Sequence, residues 1–266
     1  MTAKPPRLLI VAGSDSSGGA GIQADIKTAT AFGVYAMSAV TSVTVQDTTR
    51  VHAVHAIPTV LVRRQIEVCL KDIGADAIKI GMLGSPALVK AVAETLAKHA
   101  KNIPIVLDPV MVATSGSKLV PENAVAAIKK YLVPLATVVT PNIPETRKLV
   151  GMRGSGSKDA ERAARKLMAL GAKAVLIKGG HATRATIDDV LVWERGVEIY
   201  AFPRLKTRNT HGTGCTLASA IASGLAHGLS LPLATSRART YVQAAILSAP
   251  GFGKGHGPLN HMTEDA

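Results

Sequence analysis

The sequence predicts an α/β protein in which helices cover both faces of a mostly parallel sheet. Stretches of strand length alternate with helical stretches over most of the 266 residues, the pattern left by right-handed βαβ crossovers. Hydrophobic residues make up 47% of the chain but aromatics only 3%, so the interior must be aliphatic. That suits helices laid on parallel strands and argues against an all-β sandwich. No linker-like composition interrupts the series, and residues 1–266 are expected to form one domain.

Residues 7–12 have strand length and feed a glycine-rich loop, Gly13 to Gly21. No Lys-Ser/Thr pair follows a glycine at P-loop spacing, and Gly19-Ala20-Gly21 matches a dinucleotide fingerprint only weakly. Ile22, Ile26, Ala29 and Phe32 mark the apolar side of a helix that ends at Gly33. Asp25 lies on that helix, where a carboxylate either faces the loop mouth or stands in solvent. Tyr35 to Val45 reads as the second strand, ending in Gln46. Val51 to Ile57 alternates apolar and polar residues, as a small half-exposed flap does, and Pro58 starts a new helix. His52 and His55 point to opposite faces of this extended segment and make a poor metal pair.

One unit then repeats: strand Asp76 to Ile80 with helix Pro86 to Lys98, strand Ile103 to Leu107 with helix Glu122 to Tyr131, and strand Thr137 to Thr140 with a short helix Glu145 to Val150. Lys158 to Leu170 is a further helix and Ala174 to Lys178 a further strand. Asp189 to Trp193 and Val197 to Phe202, joined by Glu194-Arg195-Gly196, read as an antiparallel hairpin at the sheet edge. Leu233 to Leu247 closes the chain as a helix.

The net charge of +13 raises the question of a polyanionic partner, but the basic residues are scattered. The densest groups, Arg162 to Lys166 and Arg204 to Arg208, are short and lack interleaved aromatics, so no nucleic-acid partner is expected. Two distant cysteines, Cys69 and Cys215, fit a reducing compartment. Neither a charged-then-apolar leader nor a membrane-length apolar run is present, so a cytoplasmic protein without a membrane partner is expected.

Chemistry concentrates at the predicted strand ends. Asn209-Thr210-His211-Gly212-Thr213-Gly214-Cys215-Thr216 reads as a tight turn that becomes a buried helix, whose unpaired N–H groups and dipole make a pocket for negative charge. Cys215 on the first turn is expected to have a lowered thiol pKa and to be a possible base; the alternative is a small core residue. Gly13 to Gly21, Gln46, Gly81-Met82, Asp108-Pro109-Val110-Met111, Pro141-Asn142-Ile143-Pro144-Glu145 and Lys178-Gly179-Gly180-His181 follow other strands. In an open α/β sheet all of these converge at one edge, which points to an enzyme.

Together with Gly13-Ser14-Asp15-Ser16-Ser17-Gly18-Gly19-Ala20-Gly21-Ile22-Gln23-Ala24-Asp25, those motifs closely resemble the hydroxymethylpyrimidine/phosphomethylpyrimidine kinases, members of the ribokinase-like superfamily. The resemblance runs from Arg7 to the Gly251–Pro258 stretch. It implies a three-layer αβα sandwich and ATP-dependent phosphorylation of 4-amino-5-hydroxymethyl-2-methylpyrimidine and then of its monophosphate, as in thiamine biosynthesis. It further implies that Gly212, Thr213, Gly214 and Cys215 act at the transferred phosphoryl group, with Cys215 where most ribokinase relatives carry an aspartate base. Gly13, Asp25, Gln46, Met82 and Val110 match the pyrimidine pocket. Asp108, Asn142, Glu145 and Lys178 match the nucleotide and Mg²⁺ side, with Glu145 acting on the metal through water. A homodimer is expected from relatives. Pyridoxal kinase is the alternative within enzymes, and a non-catalytic nucleotide-binding protein the alternative outside them.

Overall fold

The computed structural model describes residues 4–112, 116, 120–180 and 185–263. Its strands form a nine-stranded sheet in the order β3-β2-β1-β4-β5-β6-β7-β8-β9. β1 (Arg7–Asp15), β2 (Tyr35–Gln46), β4 (Ala77–Ile80), β5 (Ile105–Leu107), β6 (Val138–Val139) and β7 (Ala174–Ile177) run parallel. β3 (Val51–Ala56) pairs antiparallel with β2, and β8 (Thr186–Trp193) with β9 (Gly196–Pro203) adds the antiparallel hairpin at the other edge.

The period-2 alternation of the strands builds two cores, one on each face. Leu9 and Val11 of β1 face one way, into a layer with α2 (Thr59–Asp72), α3 (Pro86–His99), α4 (Glu122–Ala127), α5 (Ile143–Val150) and α6 (Ser157–Met168). Leu8, Ile10 and Ala12 face the other, against α1 (Gly21–Ala31), α7 (Thr213–Ala226) and α8 (Leu231–Leu247). The result is the three-layer sandwich. α7 lies in the middle of its layer and is buried from Thr216 to Gly224, which explains its run of small and apolar residues.

Two expectations need correction. The buried face of α1 is Ala24, Asp25, Thr28 and Ala29, while Ile22 is half-buried and Ile26 is exposed. Small side chains let α1 approach α7 closely, and that contact, not hydrophobicity alone, sets the face. The helix expected over Glu122 to Tyr131 is α-helical only to Ala127; Ile128–Leu132 is a π-helical turn and Val133–Leu135 a 3₁₀ turn. Pro134 has no N–H to continue the α ladder, and its ring crowds the preceding turn.

Candidate active site at the carboxyl edge of the sheet

The strand ends and the start of α7 enclose a cavity of about 540 Å³. Its lining includes Gly13, Gln46, Met82, Asp108, Val110, Asn142, Glu145, Lys178 and Gly212 to Cys215. His181 lies outside the described residues.

The turn before α7 is built by Gly212, which is left-handed at φ 81° and caps the helix without a side chain. A Cβ there would come within 1.8 Å of the Gly19 carbonyl oxygen, so only glycine lets this turn dock against the β1 loop. Thr213 donates to the Thr210 carbonyl, and Thr216 makes the first α-type bond, to Gly212. Among the described residues no acceptor takes the N–H groups of Gly214 and Cys215. Two amides at the positive end of a 14-residue helix are therefore available to an anion.

Lys178 and Asp108 close on the same point. Lys178 Nζ lies 2.8 Å from Asp108 Oδ1, and a Cβ on Gly214 would stand 3.2 Å from that ammonium and 3.7 Å from Asp108 Oδ2. Burial disfavours the Lys178 charge, but Asp108 and Glu145 outweigh it and hold its pKa above the usual range. Asn142 and Glu145 form the capping box of α5, Asn142 Oδ1 accepting from Glu145 N and Glu145 Oε2 accepting from Asn142 N, each at 2.8 Å. Burial pushes the Glu145 carboxyl up to about 7, and Asp108 adds to the rise while Lys178 and the amides of Asn142 and Met111 oppose it. A carboxyl this poorly solvated beside a second acid suits a divalent cation. Among the described residues no group of three or more His, Cys, Asp or Glu can hold a metal unaided. Glu145 and Asp108 are the two acids that could contribute to a cation here, with phosphate and water completing its shell as Mg²⁺ requires.

Cys215 departs from expectation. Burial drives its thiol up to about 11, with Asp25 and Asp108 adding to the effect; Lys79 and the Gly21 amide only partly offset it. Desolvation outweighs Lys79 and the Gly21 amide, so the thiol is raised where a lowered pKa was expected.

Asp25 is corrected as well. It is absent from the cavity lining and fully buried beneath the floor, where Lys79 Nζ reaches its two oxygens at 2.8 and 2.9 Å and Ser219 Oγ donates at 2.7 Å. In this structure its partners are Lys79 and Ser219 of α7, and it does not border the cavity. Of the remaining pocket residues, Met82 packs against Gly13, where a Cβ would come within 2.9 Å of the Met82 methyl carbon. Val110 is half-buried on the wall beside Asp108.

Residues not singled out from the sequence complete the site. Lys79 had a legible signal, a lysine inside the otherwise apolar Ala77-Ile78-Lys79-Ile80. Asp15 and His211 lay within quoted motifs, yet nothing local marks them as partners; His211 Nε2 is 2.8 Å from Asp15 Oδ2 across 196 positions.

The phosphomethylpyrimidine kinase family profile matches residues 15–260. The chain is 45% identical over 258 residues to the hydroxymethylpyrimidine/phosphomethylpyrimidine kinase of Streptomyces coelicolor, covering 97% of this chain and 94% of that one. It is 46% identical over 255 residues to a thiamine biosynthesis bifunctional protein of Geobacter sulfurreducens, spanning 96% of this chain but about half, 52%, of that longer protein. Among solved structures, an ADP complex of Bacillus subtilis pyridoxal kinase superposes with a TM-score of 0.89 at 36% identity, covering 97% of this chain and 98% of that one. Phosphomethylpyrimidine kinase from Clostridium difficile superposes with a TM-score of 0.80 at 40% identity, covering 91% of this chain and 100% of that one.

Proposed function

The chain belongs to the phosphomethylpyrimidine kinase family, and from that premise we propose that it transfers the γ-phosphoryl group of ATP to 4-amino-5-hydroxymethyl-2-methylpyrimidine and then to the resulting monophosphate. The observation that carries this reading is the pair of unclaimed Gly214 and Cys215 amides beside Lys178 and Asp108 in one cavity.

Gly13, Gln46, Met82 and Val110, after β1, β2, β4 and β5, would hold the flat heterocycle. Gly180, Ile187, Leu205, Gln243 and Ile246, toward β7 to β9 and α8, line the same cavity and would take the nucleoside. The acceptor hydroxymethyl and the γ-phosphate then meet over the α7 turn. Phosphoryl transfer is mostly positioning plus charge stabilisation, and here the two amides and Lys178 meet the charge on the transferred group. Mg²⁺ would be held by Glu145, through water, with Asp108, and would supply positive charge to the phosphates. The Cys215 thiol stays protonated and acts as a neutral neighbour of the acceptor oxygen. Gly212 and Thr213 shape the turn.

The exposed valines of the β2–β3 flap, Val43, Val45 and Val54, support a homodimer, tested by sedimentation with Val45→Lys expected to give a monomer. The continuous sheet supports one kinase domain over residues 1–266. Two free cysteines support a cytoplasmic location, and among the described residues no helix is long and apolar enough to cross a membrane.

Coupled ADP release on hydroxymethylpyrimidine, its monophosphate, pyridoxal and pyridoxamine tests the assignment. Higher kcat/KM on both pyrimidines is expected. Pyridoxal kinase is the second reading, favoured by the closer superposition on the pyridoxal enzyme, and equal or reversed values would install it instead.

A further inference from the structure

Asp15, at the end of β1, is buried and surrounded by donors. Its Oδ1 accepts from Ser17 N at 2.9 Å and Ser17 Oγ at 2.8 Å; its Oδ2 accepts from Ala20 N at 2.8 Å, with Ser17 Oγ also at 3.0 Å. His211 Nε2 stands 2.8 Å from the same Oδ2. A carboxylate held this way can only accept, so the hydrogen between them sits on His211 Nε2. The Gln46 side-chain amide lies 3.0 Å from that same nitrogen, with its NH₂ drawn toward it. A protonated ring nitrogen has no lone pair left for a second donor. Amide nitrogen and oxygen have nearly the same shape and exchange places by a half-turn about the last side-chain bond, so the atom on His211 is assigned by chemistry.

We propose that the Nε2–H of His211, held by Asp15 and shared with the Gln46 carbonyl oxygen, orients the Gln46 amide with its NH₂ toward the cavity, making His211 a specificity-determining positioning residue. The carbonyl keeps one lone pair, so the edge offered to a ligand is a donor beside an acceptor in fixed order. That edge complements a ring nitrogen flanked by an exocyclic amino group. Pyridoxal lacks the pair. The backbone of Gln46 is pinned as well: Ser16 Oγ accepts from Gln46 N at 2.9 Å and donates to Gln46 O at 2.8 Å. His211 precedes Gly212, and Gly19 packs so closely on the imidazole that a Cβ there would lie 2.5 Å from His211 Cδ2.

The inference rests on the pyrimidine-kinase reading for its substrate, and two experiments separate the two. Long-range ¹H–¹⁵N correlation on the free protein labelled with [¹⁵N]histidine should show His211 as the Nε2–H tautomer. An Nδ1–H tautomer would overturn the proposal, because Gln46 would then donate to the ring and turn its carbonyl to the cavity. Kinetically, His211→Phe keeps a planar ring without a donor. It should raise KM for hydroxymethylpyrimidine about 3- to 10-fold, the range for ordering one free side chain, while leaving the pyridoxal KM nearly unchanged. His211→Gln, whose amide nitrogen can stand near the position of Nε2, should recover most of the loss. Equal KM shifts for both substrates, or a Gln variant no better than Phe, would sink the proposal. A wild-type enzyme inactive on hydroxymethylpyrimidine would overturn the substrate assignment, and the tautomer would still decide the orientation of Gln46.

Discussion

Two lysine–aspartate pairs of similar geometry sit on either side of the α7 turn, and they do different work. Lys79 and Asp25 meet at 2.8 Å with both side chains fully buried; Lys178 and Asp108 also meet at 2.8 Å, but the lysine is 14% exposed to the cavity. The first pair forms part of the floor, its carboxylate completed by Ser219 of α7. Lys79 borders the cavity without exposed side-chain surface, while Asp25 stays outside the lining. The second presents its charge where an anion would sit. Contact distance does not distinguish structural from functional ion pairs; access to the cavity does.

Breaking the buried pair gives the largest expected effect on the fold. Lys79→Met strands the Asp25 carboxylate in an apolar interior and should cost about 3–5 kcal/mol in denaturant unfolding. A Lys79→Met/Asp25→Asn double variant should regain much of that, and the same loss in both would show that packing, not charge, is at stake. Breaking the open pair should do the reverse. Lys178→Ala is expected to lower kcat by about 10²- to 10³-fold, the scale for removing one donor to a developing charge, with little change in unfolding midpoint. A large stability loss with modest kinetic change would erase the distinction between the pairs.

Cys215 lies between them and sharpens the comparison. With its thiol pushed up to about 11, Cys215→Ala should cost only about tenfold in kcat, below the range for losing a general base. Alkylation of the empty enzyme should stay slow at neutral pH and accelerate without a plateau up to about pH 9. A plateau near neutrality would restore the thiolate base.

The smallest effect concerns Glu145. Its carboxyl is raised, so the protonated form persists to about 7 and the anion that would bind a cation appears only above it. Apparent Mg²⁺ affinity should therefore rise with pH through that value. Glu145→Gln should flatten the dependence and leave the pyrimidine KM in place; an unchanged pH profile would remove Glu145 from the metal side.

Much of this was legible in the chain. Alternating strand and helix signals ordered the elements, because each signal is carried within one stretch. Gly13, Gln46, Met82, Asp108, Val110, Asn142, Glu145 and Lys178 were placed together because they follow parallel strands, which share one carboxyl edge, and they line one cavity with Gly212 to Cys215. The helix break at Ala127 was hidden, since a π turn has no local composition signal beyond the proline that follows.

What the sequence determined alone is therefore the set of groups and the edge on which they meet: hydrophobic period and turn chemistry are local, and crossover handedness converts them into topology. What only the tertiary structure decided is the environment of each group. Asp25 went under the floor because small residues let α1 and α7 close over it. The Cys215 thiol rose instead of falling because burial with Asp25 and Asp108 outweighed Lys79 and the Gly21 amide. Gln46 met His211 across 165 positions because two loops dock backbone to backbone at Gly19 and Gly212. Desolvation and charge depend on every neighbour in space, and neighbours in space are not written in any one stretch of chain.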